Sequence, residues 1–282
     1  KSPFWWIKGE KIMKTRVITG SLLALFFIPL FIFGGFPLEI VLTILTIVAT
    51  FEMGRLFKLK KYVIGIIAAY SGLFFILFLG YFDDADIFAE MIIALVIFTI
   101  IIGALLSVFD DEFKTSDMGL MLVAILYPSV GFASIGFLTR ISVYNIGFLF
   151  LITTMTDIFA YIVGVNFGKT RLAVKISPKK SVEGSIGGTV FAVIFTMIYV
   201  WGFKMDSIAN IELNIGISIG LIIFLSVIGQ IGDLVASKFK RDFGVKDYSN
   251  IFPGHGGVMD RFDSVIFAGM VLVFISEEIG RA

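Results

Sequence analysis

NIGISIGLIIFLSVIGQIGDLVA (residues 214–236) is an apolar stretch of membrane-spanning length, and the polar segment SKFKRDFGVKDYSNIFPGHGGVMDRFD (residues 237–263) follows it directly. A helix of about 20 apolar residues crosses the hydrocarbon core of a bilayer. Another apolar stretch, residues 262–280, begins where the polar segment ends. Because charged side chains near a bilayer cost free energy, so dense a polar segment between two spans indicates a functional site.

The composition identifies lipid as the main solvent of the chain. Of the 282 residues, 58% are hydrophobic and only 16% are charged, and the mean hydropathy is +0.99. A soluble domain has about 45–50% apolar and about 25% charged residues. The chain has no Cys and a single His, which excludes disulfides, thiol nucleophiles and His-rich zinc sites.

Nine segments are long and apolar enough to be transmembrane helices. They are continuously apolar rather than alternating, which favours helices over strands. The first follows Lys14-Thr15-Arg16 without a small-x-small cleavage site, so we expect it to be retained as a span. The sequence therefore predicts an all-α, polytopic integral membrane protein. The predicted spans cover residues 17–35, 38–57, 62–81, 87–108, 119–139, 143–164, 186–203, 214–236 and 262–280.

The basic residues determine the predicted orientation, because loops rich in Lys and Arg stay in the cytoplasm. Of the 23 Lys and Arg residues, only Arg140, Lys204 and Arg281 flank one set of span ends, which also includes the acidic run Asp83-Asp84-Ala85-Asp86. All the others flank the opposite set. We therefore expect a cytoplasmic amino terminus and a carboxyl terminus outside. The cytoplasmic basic residues lie in segments 1–16, 55–61, 114, 169–180 and 238–261.

The two halves of the chain differ in how they use charge. Through residue 140 the loops are short and the spans are nearly free of buried charge apart from Glu52, which we expect to pair with Arg55 at the membrane boundary. From residue 141 onward there are two long cytoplasmic loops and two intramembrane acids. We therefore expect a single membrane domain whose first half is mainly scaffold and whose second half is catalytic.

Four aspartates are the strongest candidates for chemistry. Asp260 and Asp263 are three residues apart at the start of the last span, so a helix presents both on one face. Adjacent carboxylates repel each other unless a cation lies between them, and hard oxygen ligands suit Mg²⁺; a simple acidic helix cap is the alternative. Asp157 and Asp233 lie within spans, where an acid is a functional candidate. Thr153 and Tyr161, one turn before and one turn after Asp157, could instead satisfy that acid by hydrogen bonding.

Basic and glycine-rich segments near these acids are typical of phosphate binding. The loop 252–257 has three glycines that permit an anion-binding turn beside His255. The loop 177–188 combines lysines, hydroxyls and glycines. A common Gly-rich turn, and basic loops that flank spans or face anionic lipid, are the alternative explanations. Four polar residues form one stripe of the eighth predicted helix: Asp233, Ser237, Lys240 and Arg241.

Together these motifs resemble those of the phosphatidate cytidylyltransferase (CDP-diacylglycerol synthase) family, over residues 145–265. The carboxy-terminal motif of that family matches Ser237, Lys240, Arg241, Lys246, Asp247, Phe252, Pro253, His255, Gly256, Gly257, Asp260, Arg261 and Asp263. Upstream motifs match Asp157, Ala160, Tyr161, Gly164, Ser177, Pro178, Lys179, Lys180, Ser181, Glu183 and Gly184.

The resemblance implies that CTP and phosphatidic acid react to give CDP-diacylglycerol and pyrophosphate. It also implies Mg²⁺ and a homodimer in a bacterial-type inner membrane, with the active site facing the cytoplasm and no nucleic acid partner. On this hypothesis one or two cations are held by Asp233, Asp260 and Asp263, with Asp157 as a further ligand. The catalytic basic residues are Lys240, Arg241 and Arg261. The expected substrate-binding residues are Ser177, Lys179, Lys180, Ser181, Ser237, Lys246, Asp247, His255, Gly256, Gly257 and Tyr161.

Two other functions fit parts of the sequence. A cation-coupled transporter would use Asp157 and Asp233 as ion sites, but the polar motifs are concentrated on one side and the chain has no convincing internal repeat. A phosphatidyl transferase that uses CDP-diacylglycerol typically has an Asp-Gly-x-x-Ala-Arg run, which this sequence lacks.

Overall fold

The computed structural model describes residues 19–77, apart from Ala24, and residues 85–280. Several residues used in the orientation prediction lie outside the described residues, as do the predicted span ends at residues 17–18 and 78–81. These residues are Lys1, Lys8, Lys11, Lys14, Arg16, Asp83, Asp84 and Arg281.

Within the described residues the chain forms nine helices and two short hairpins. The elements are α1 (Thr19–Phe33), α2 (Gly35–Leu56), α3 (Lys61–Leu77), α4 (Ala85–Phe109), α5 (Thr115–Ile141), α6 (Val143–Phe167), β1 (Arg171–Ala173), β2 (Ser177–Ser181), α7 (Val182–Gly202), β3 (Ser207–Ile208), β4 (Ile211–Glu212), α8 (Ile215–Asp242) and α9 (Met259–Gly280). By length and composition, six of these helices can span a membrane: α2, α4, α5, α6, α7 and α8. The prediction of an all-α membrane protein is therefore confirmed.

Polar side chains mark where the helices of the second half begin. Each cap satisfies a backbone N–H group that has no acceptor inside its own helix. The caps are Ser142 for α6, Ser181 for α7 and Asn214 for α8, which accept bonds from the N–H groups of residues 144, 184 and 217 at 3.2, 3.1 and 2.8 Å. The helix α8 continues six residues past the predicted end at residue 236, so its polar stripe is held on a rigid element.

Both hairpins lie in connections that the apolar pattern does not resolve. β1 pairs with β2 in an antiparallel register that places Arg171 opposite Ser181, and β3 pairs with β4. The first hairpin folds the basic loop between α6 and α7 back on itself. As a result, Lys180 near the end of β2 reaches an acid on α8.

A chain of polar side chains ties α6, α7 and α8 together inside the bundle. The hydroxyl of Ser226 lies 2.7 Å from that of Thr156 and 2.9 Å from that of Thr189, and Gln230 donates to Thr189 at 3.1 Å. Buried polar groups stabilise a fold only when they are paired in this way. Thr156 directly precedes Asp157 and Gln230 lies three residues before Asp233, so the network fixes the helices that carry both acids.

The helices α6 and α7 pack closely through small residues. A Cβ atom at Gly188 of α7 would lie 2.5 Å from the carbonyl oxygen of Thr156 and 3.0 Å from the Cβ of Ala160. A Cβ at Gly184 would lie 2.5 Å from the carbonyl oxygen of Ala160. Small residues allow helix backbones to approach in a membrane, and here they bring the two helices together next to Asp157.

We expect Gly188→Ala to lower the melting temperature of the purified protein in detergent, because overpacking of this kind typically costs about 1–3 kcal/mol. The matched control is Gly220→Ala in α8, where an added Cβ meets no atom within 4 Å. That variant should keep or raise the melting temperature, since Ala is the better helix former. Equal effects at both positions would show that the α6–α7 contact is not tight.

Candidate active site

Three aspartates from three helices lie near one another in the second half of the chain. Asp157 of α6, Asp233 of α8 and Asp263 of α9 lie within electrostatic range of each other. The approach of α9 to α8 depends on Gly232, where a Cβ would lie 2.5 Å from the Cβ of Phe267 and 3.0 Å from the carbonyl oxygen of Asp263. The spans thus gather three of the four predicted metal-binding acids into one acidic site.

The Asp157 part of this acidic site lies within the length of α6, away from the end of that helix. Asp157 is ten residues before the end of α6, a distance of about 15 Å along a helix. Its side chain is exposed, and among the described residues its carboxylate has no hydrogen-bond donor. In the part of the chain that the structure describes, neither Thr153 nor Tyr161 donates a hydrogen bond to this carboxylate. The Thr153 hydroxyl donates instead to the backbone oxygens of Leu149 and Phe150. The Asp157 carboxylate is therefore the most available of the acids for a ligand.

Asp233 is held by one cation and one hydroxyl. Its Oδ2 forms an ion pair with the Nζ of Lys180, and its Oδ1 accepts a 3.3 Å bond from the Ser237 hydroxyl. The hairpin β1–β2 thus contributes the counter-charge of an acid on α8. The other predicted residues of this loop serve differently: Ser181 caps α7, Ser177 is half-buried and Lys179 is exposed.

Asp260 has a different environment from the other three acids. Its Oδ1 accepts a 2.7 Å bond from Lys240, and its Oδ2 accepts bonds from the backbone N–H groups of Tyr248 at 2.8 Å and Gly257 at 2.9 Å. Lys240 is buried and lies 5.2 Å from the centre of the Tyr248 ring. Both Asp260 oxygens and the Lys240 ammonium therefore have partners within the protein. In Asp263, by contrast, the Oδ1 accepts the N–H of Ser264 at 2.8 Å.

The loop between α8 and α9 (residues 243–258) is fixed by its own contacts. Burial raises the pKa of the Tyr248 hydroxyl, which donates a 3.1 Å bond to the carbonyl of Ala236. Arg241 joins this loop to the first hairpin by donating to the carbonyls of Val245 at 2.9 Å and Ile176 at 3.3 Å. Of the other predicted substrate-binding residues, Lys246 and Asp247 are exposed.

The glycine-rich turn is closed by backbone bonds. The N–H groups of His255 and Gly256 both donate to the carbonyl of Phe252, at 2.8 and 3.1 Å, and Phe252 donates to the carbonyl of Gly256 at 2.9 Å. The positive φ of 84° at Gly256 requires a glycine. The N–H groups of His255 and Gly256 therefore already have acceptors within the turn.

Glu52 does not form the ion pair that its spacing with Arg55 predicts. Its carboxylate instead contacts the α8–α9 loop, and Arg55 lies 5.9 Å from the ring of Phe51. The expectation was wrong because a buried carboxylate is stabilised better by buried N–H and O–H donors than by a flexible cation at the surface. The only sequence signal for this role was an acid inside an apolar span.

An apolar cavity of about 840 Å³ lies beside the acidic site. One end is formed by Tyr144, Tyr199 and Phe203, and the other by Phe252, Arg261 and Phe262. Arg261 is exposed and within electrostatic range of Asp157. The guanidinium therefore stands where the apolar cavity meets the acids. The remaining lining residues come from α1 and α6: Leu23, Phe27, Ile28, Phe31, Ile32, Val143, Ile146, Gly147, Phe150, Leu151, Thr154 and Met155.

The carboxylates are suitable ligands for a divalent cation, but they do not form a complete coordination shell by themselves. Among the described residues, no three His, Asp or Glu side chains come together closely enough to hold a metal ion. Carboxylate oxygens nevertheless suit Mg²⁺, which is commonly bound by one or two carboxylates together with phosphate groups of a substrate. Asp233 and Asp263 on neighbouring helices fit that arrangement.

Comparisons with known proteins agree with the family suggested by the motifs. A family model described as the cytidylyltransferase family matches residues 14–277. A Bacillus subtilis protein named phosphatidate cytidylyltransferase is 35% identical over 268 residues, which cover 93% of this chain and 97% of the relative. Proteins of the same name from Staphylococcus haemolyticus and Staphylococcus aureus are 32% and 33% identical, over 90% of this chain and 95% of each relative. The chain therefore belongs to the cytidylyltransferase family.

Proposed function

We propose that the chain is a phosphatidate cytidylyltransferase that converts CTP and phosphatidic acid to CDP-diacylglycerol and pyrophosphate. Relatives with this name cover nearly the whole chain. The observation that carries the proposal is the position of Arg261, between a recessed group of acids and an apolar cavity. Phosphatidic acid needs both surroundings at once: a charged site for its phosphate and an apolar cavity for its acyl chains.

The reaction joins two phosphates and needs little covalent help from the protein. An oxygen of the phosphatidic acid phosphate attacks the α-phosphorus of CTP and forms a P–O–P bond. The bond to the β-phosphate breaks, and its electron pair leaves on pyrophosphate. Because the attacking phosphate is already anionic, no general base is required, and catalysis depends on alignment and on neutralising charge.

The residues divide this task between them. Asp233 and Asp263 would hold Mg²⁺ together with the substrate phosphates, with Asp157 as a further ligand. The ion, when bound, would neutralise charge on the reacting phosphates. Lys180 pairs with Asp233 and, like Arg261, lies within electrostatic range of Asp157, so both would bind phosphate directly. Lys240 and Arg241 act through the protein, since Lys240 holds Asp260 and Arg241 holds two loops together.

The apolar cavity would take an acyl chain of phosphatidic acid. Its walls are almost entirely aliphatic and aromatic side chains, and Arg261 lies at the end nearest the acids. An arginine presents a planar fork of donors that matches a phosphate. The phosphate of the lipid would thus lie at Arg261 while CTP enters between the exposed cytoplasmic loops, which carry Lys179 and Lys246.

The membrane arrangement follows from the same proposal. We infer nine spans, a cytoplasmic amino terminus and a homodimer in the bacterial inner membrane, with the catalytic machinery mainly in residues 141–282. The basic residues of the loops support the orientation. A cytoplasmic site is also required because CTP is a cytoplasmic nucleotide and cannot cross the bilayer as a tetraanion.

The decisive measurement is pyrophosphate release by the purified protein in detergent–lipid micelles. We expect release only when CTP and phosphatidic acid are both present, and its loss when EDTA removes Mg²⁺ and recovery when the ion is returned. A cation-coupled transporter would instead give substrate-dependent flux in proteoliposomes and no pyrophosphate. That result would refute the proposed function.

Asp233→Asn and Asp263→Asn should each lower turnover at least about 100-fold, since loss of groups that merely support metal ligands already costs about 10–100-fold. The control is Asp242→Asn on α8, whose carboxylate forms an exposed pair with Lys238. That variant should keep its activity, because exposed pairs contribute about 0–1 kcal/mol. Normal turnover in either of the first two variants would remove that residue from the metal site.

Thr154→Trp tests the acyl-chain cavity, because Thr154 is one of its lining residues. We expect the KM for long-chain phosphatidic acid to rise by about tenfold, equivalent to about 1.4 kcal/mol of binding, while the KM for CTP is unchanged. Ile162→Trp, at an exposed position of α6 outside the cavity, is the control. If the two variants bind the lipid equally well, the acyl chain lies elsewhere.

A further inference from the structure

Glu52 is a buried acid that the reaction as described does not use. It lies near the end of α2, in the half of the chain expected to be scaffold, and is 1% exposed. Its Oε1 accepts bonds from the Ser249 hydroxyl at 2.5 Å and the Val258 N–H at 3.0 Å, and its Oε2 accepts from the Met259 N–H at 2.9 Å. All three partners can donate, so the arrangement suits an ionised carboxylate.

These bonds are made at the start of α9, the helix that carries Asp263. The first N–H groups of a helix have no acceptor within the helix. Here the N–H of Gly257 donates to Asp260, and the next two N–H groups donate to Glu52. Two carboxylates, one from α9 itself and one from α2, thus satisfy three consecutive N–H groups.

Gly257 shows how closely α2 approaches this turn. A Cβ atom at that position would collide with the Oε1 of Glu52 and lie 2.7 Å from its Oε2. The acid is therefore in direct contact with the backbone of the α8–α9 loop, and any larger residue at position 257 would displace it. The contact joins residues more than 200 positions apart in the chain.

We propose that Glu52 is a positioning residue for nucleotidyl transfer. By holding the α8–α9 loop and the first turn of α9, it sets the direction in which Arg261 and Asp263 face the acids of α6 and α8. A displacement of about 1 Å in a reacting group can cost about 100-fold in rate. The inference rests on the proposed function for its consequence, while the contact itself can be tested without any reaction.

Glu52→Gln replaces one acceptor oxygen by a donor, so one buried N–H of the turn loses its acceptor. We expect kcat to fall by about 10- to 100-fold, as for other residues that orient a site, while the KM for CTP changes little. The matched control is Glu39→Gln, at another buried acid of α2, whose Oε1 accepts a 2.6 Å bond from Arg140. Its loss should lower stability but leave the kcat of the folded protein unchanged.

A spin label measures the contact independently of catalysis. The chain has no cysteine, so Ile251→Cys, at an exposed position of the α8–α9 loop, provides a single labelling site. We expect Glu52→Gln to increase the mobility of a nitroxide at position 251 and Glu39→Gln to leave it unchanged. If wild-type protein made no CDP-diacylglycerol, the proposed function would fail, yet the difference in mobility would still decide whether Glu52 holds the loop.

Ser249→Ala provides a second test if Glu52→Gln does not fold. It removes one donor from the Glu52 carboxylate at a half-buried loop position. We expect it to raise label mobility and lower kcat less than Glu52→Gln does, and to add nothing in the double variant. An unchanged kcat and an unchanged label spectrum in Glu52→Gln, or in Ser249→Ala where the first variant cannot be purified, would overturn the proposal.

Discussion

The constraint on which this structure depends is the free-energy cost of placing several carboxylates within a membrane bundle. Each charge held within the bundle needs donors or a cation to replace the water that it has lost. Asp233 has Lys180, Asp260 has Lys240 and two N–H groups, and Glu52 has two N–H groups and a hydroxyl. Asp157 and Asp263 have much weaker compensation from the protein.

This difference in how fully the carboxylates are paired separates two kinds of acid. Asp260 and Glu52 accept bonds from donors within the protein with both of their oxygens, and these bonds shape the loop. Asp157 and Asp263 retain oxygens that are not taken up by donors, beside an ion pair formed by Lys180 and Asp233. The Mg²⁺ ion of a bound Mg²⁺–nucleotide complex would supply positive charge there, and the phosphates could take Lys180 as a partner. This weaker compensation of Asp157 and Asp263 is thus a feature that favours ligand binding.

The sequence predicted what depends on local pattern. Continuous apolar stretches gave the positions of the helices to within a few residues, and an acid in an apolar span pointed to Asp157 and Asp233. It could not predict that Lys180 meets Asp233, because that contact depends on a hairpin of five-residue and three-residue strands with no apolar signal. It was wrong about Glu52 because spacing along one helix identifies neighbours on that helix and says nothing about a loop 200 residues away.

The glycines at 256 and 257 show how one feature can have two physical explanations. In sequence they suggested backbone N–H groups free to bind phosphate. In the fold, a Cβ at Gly256 would lie 2.6 Å from the Oδ2 of Asp260, and a Cβ at Gly257 would strike Glu52. The glycines are thus needed so that two carboxylates can reach the turn. Since those carboxylates and Phe252 accept the N–H groups of residues 255–258, phosphate binding would rely mainly on side chains such as Lys180 and Arg261. The reacting groups would then be held by residues from α9 and the first hairpin, and their alignment would depend on how firmly α2 fixes the start of α9.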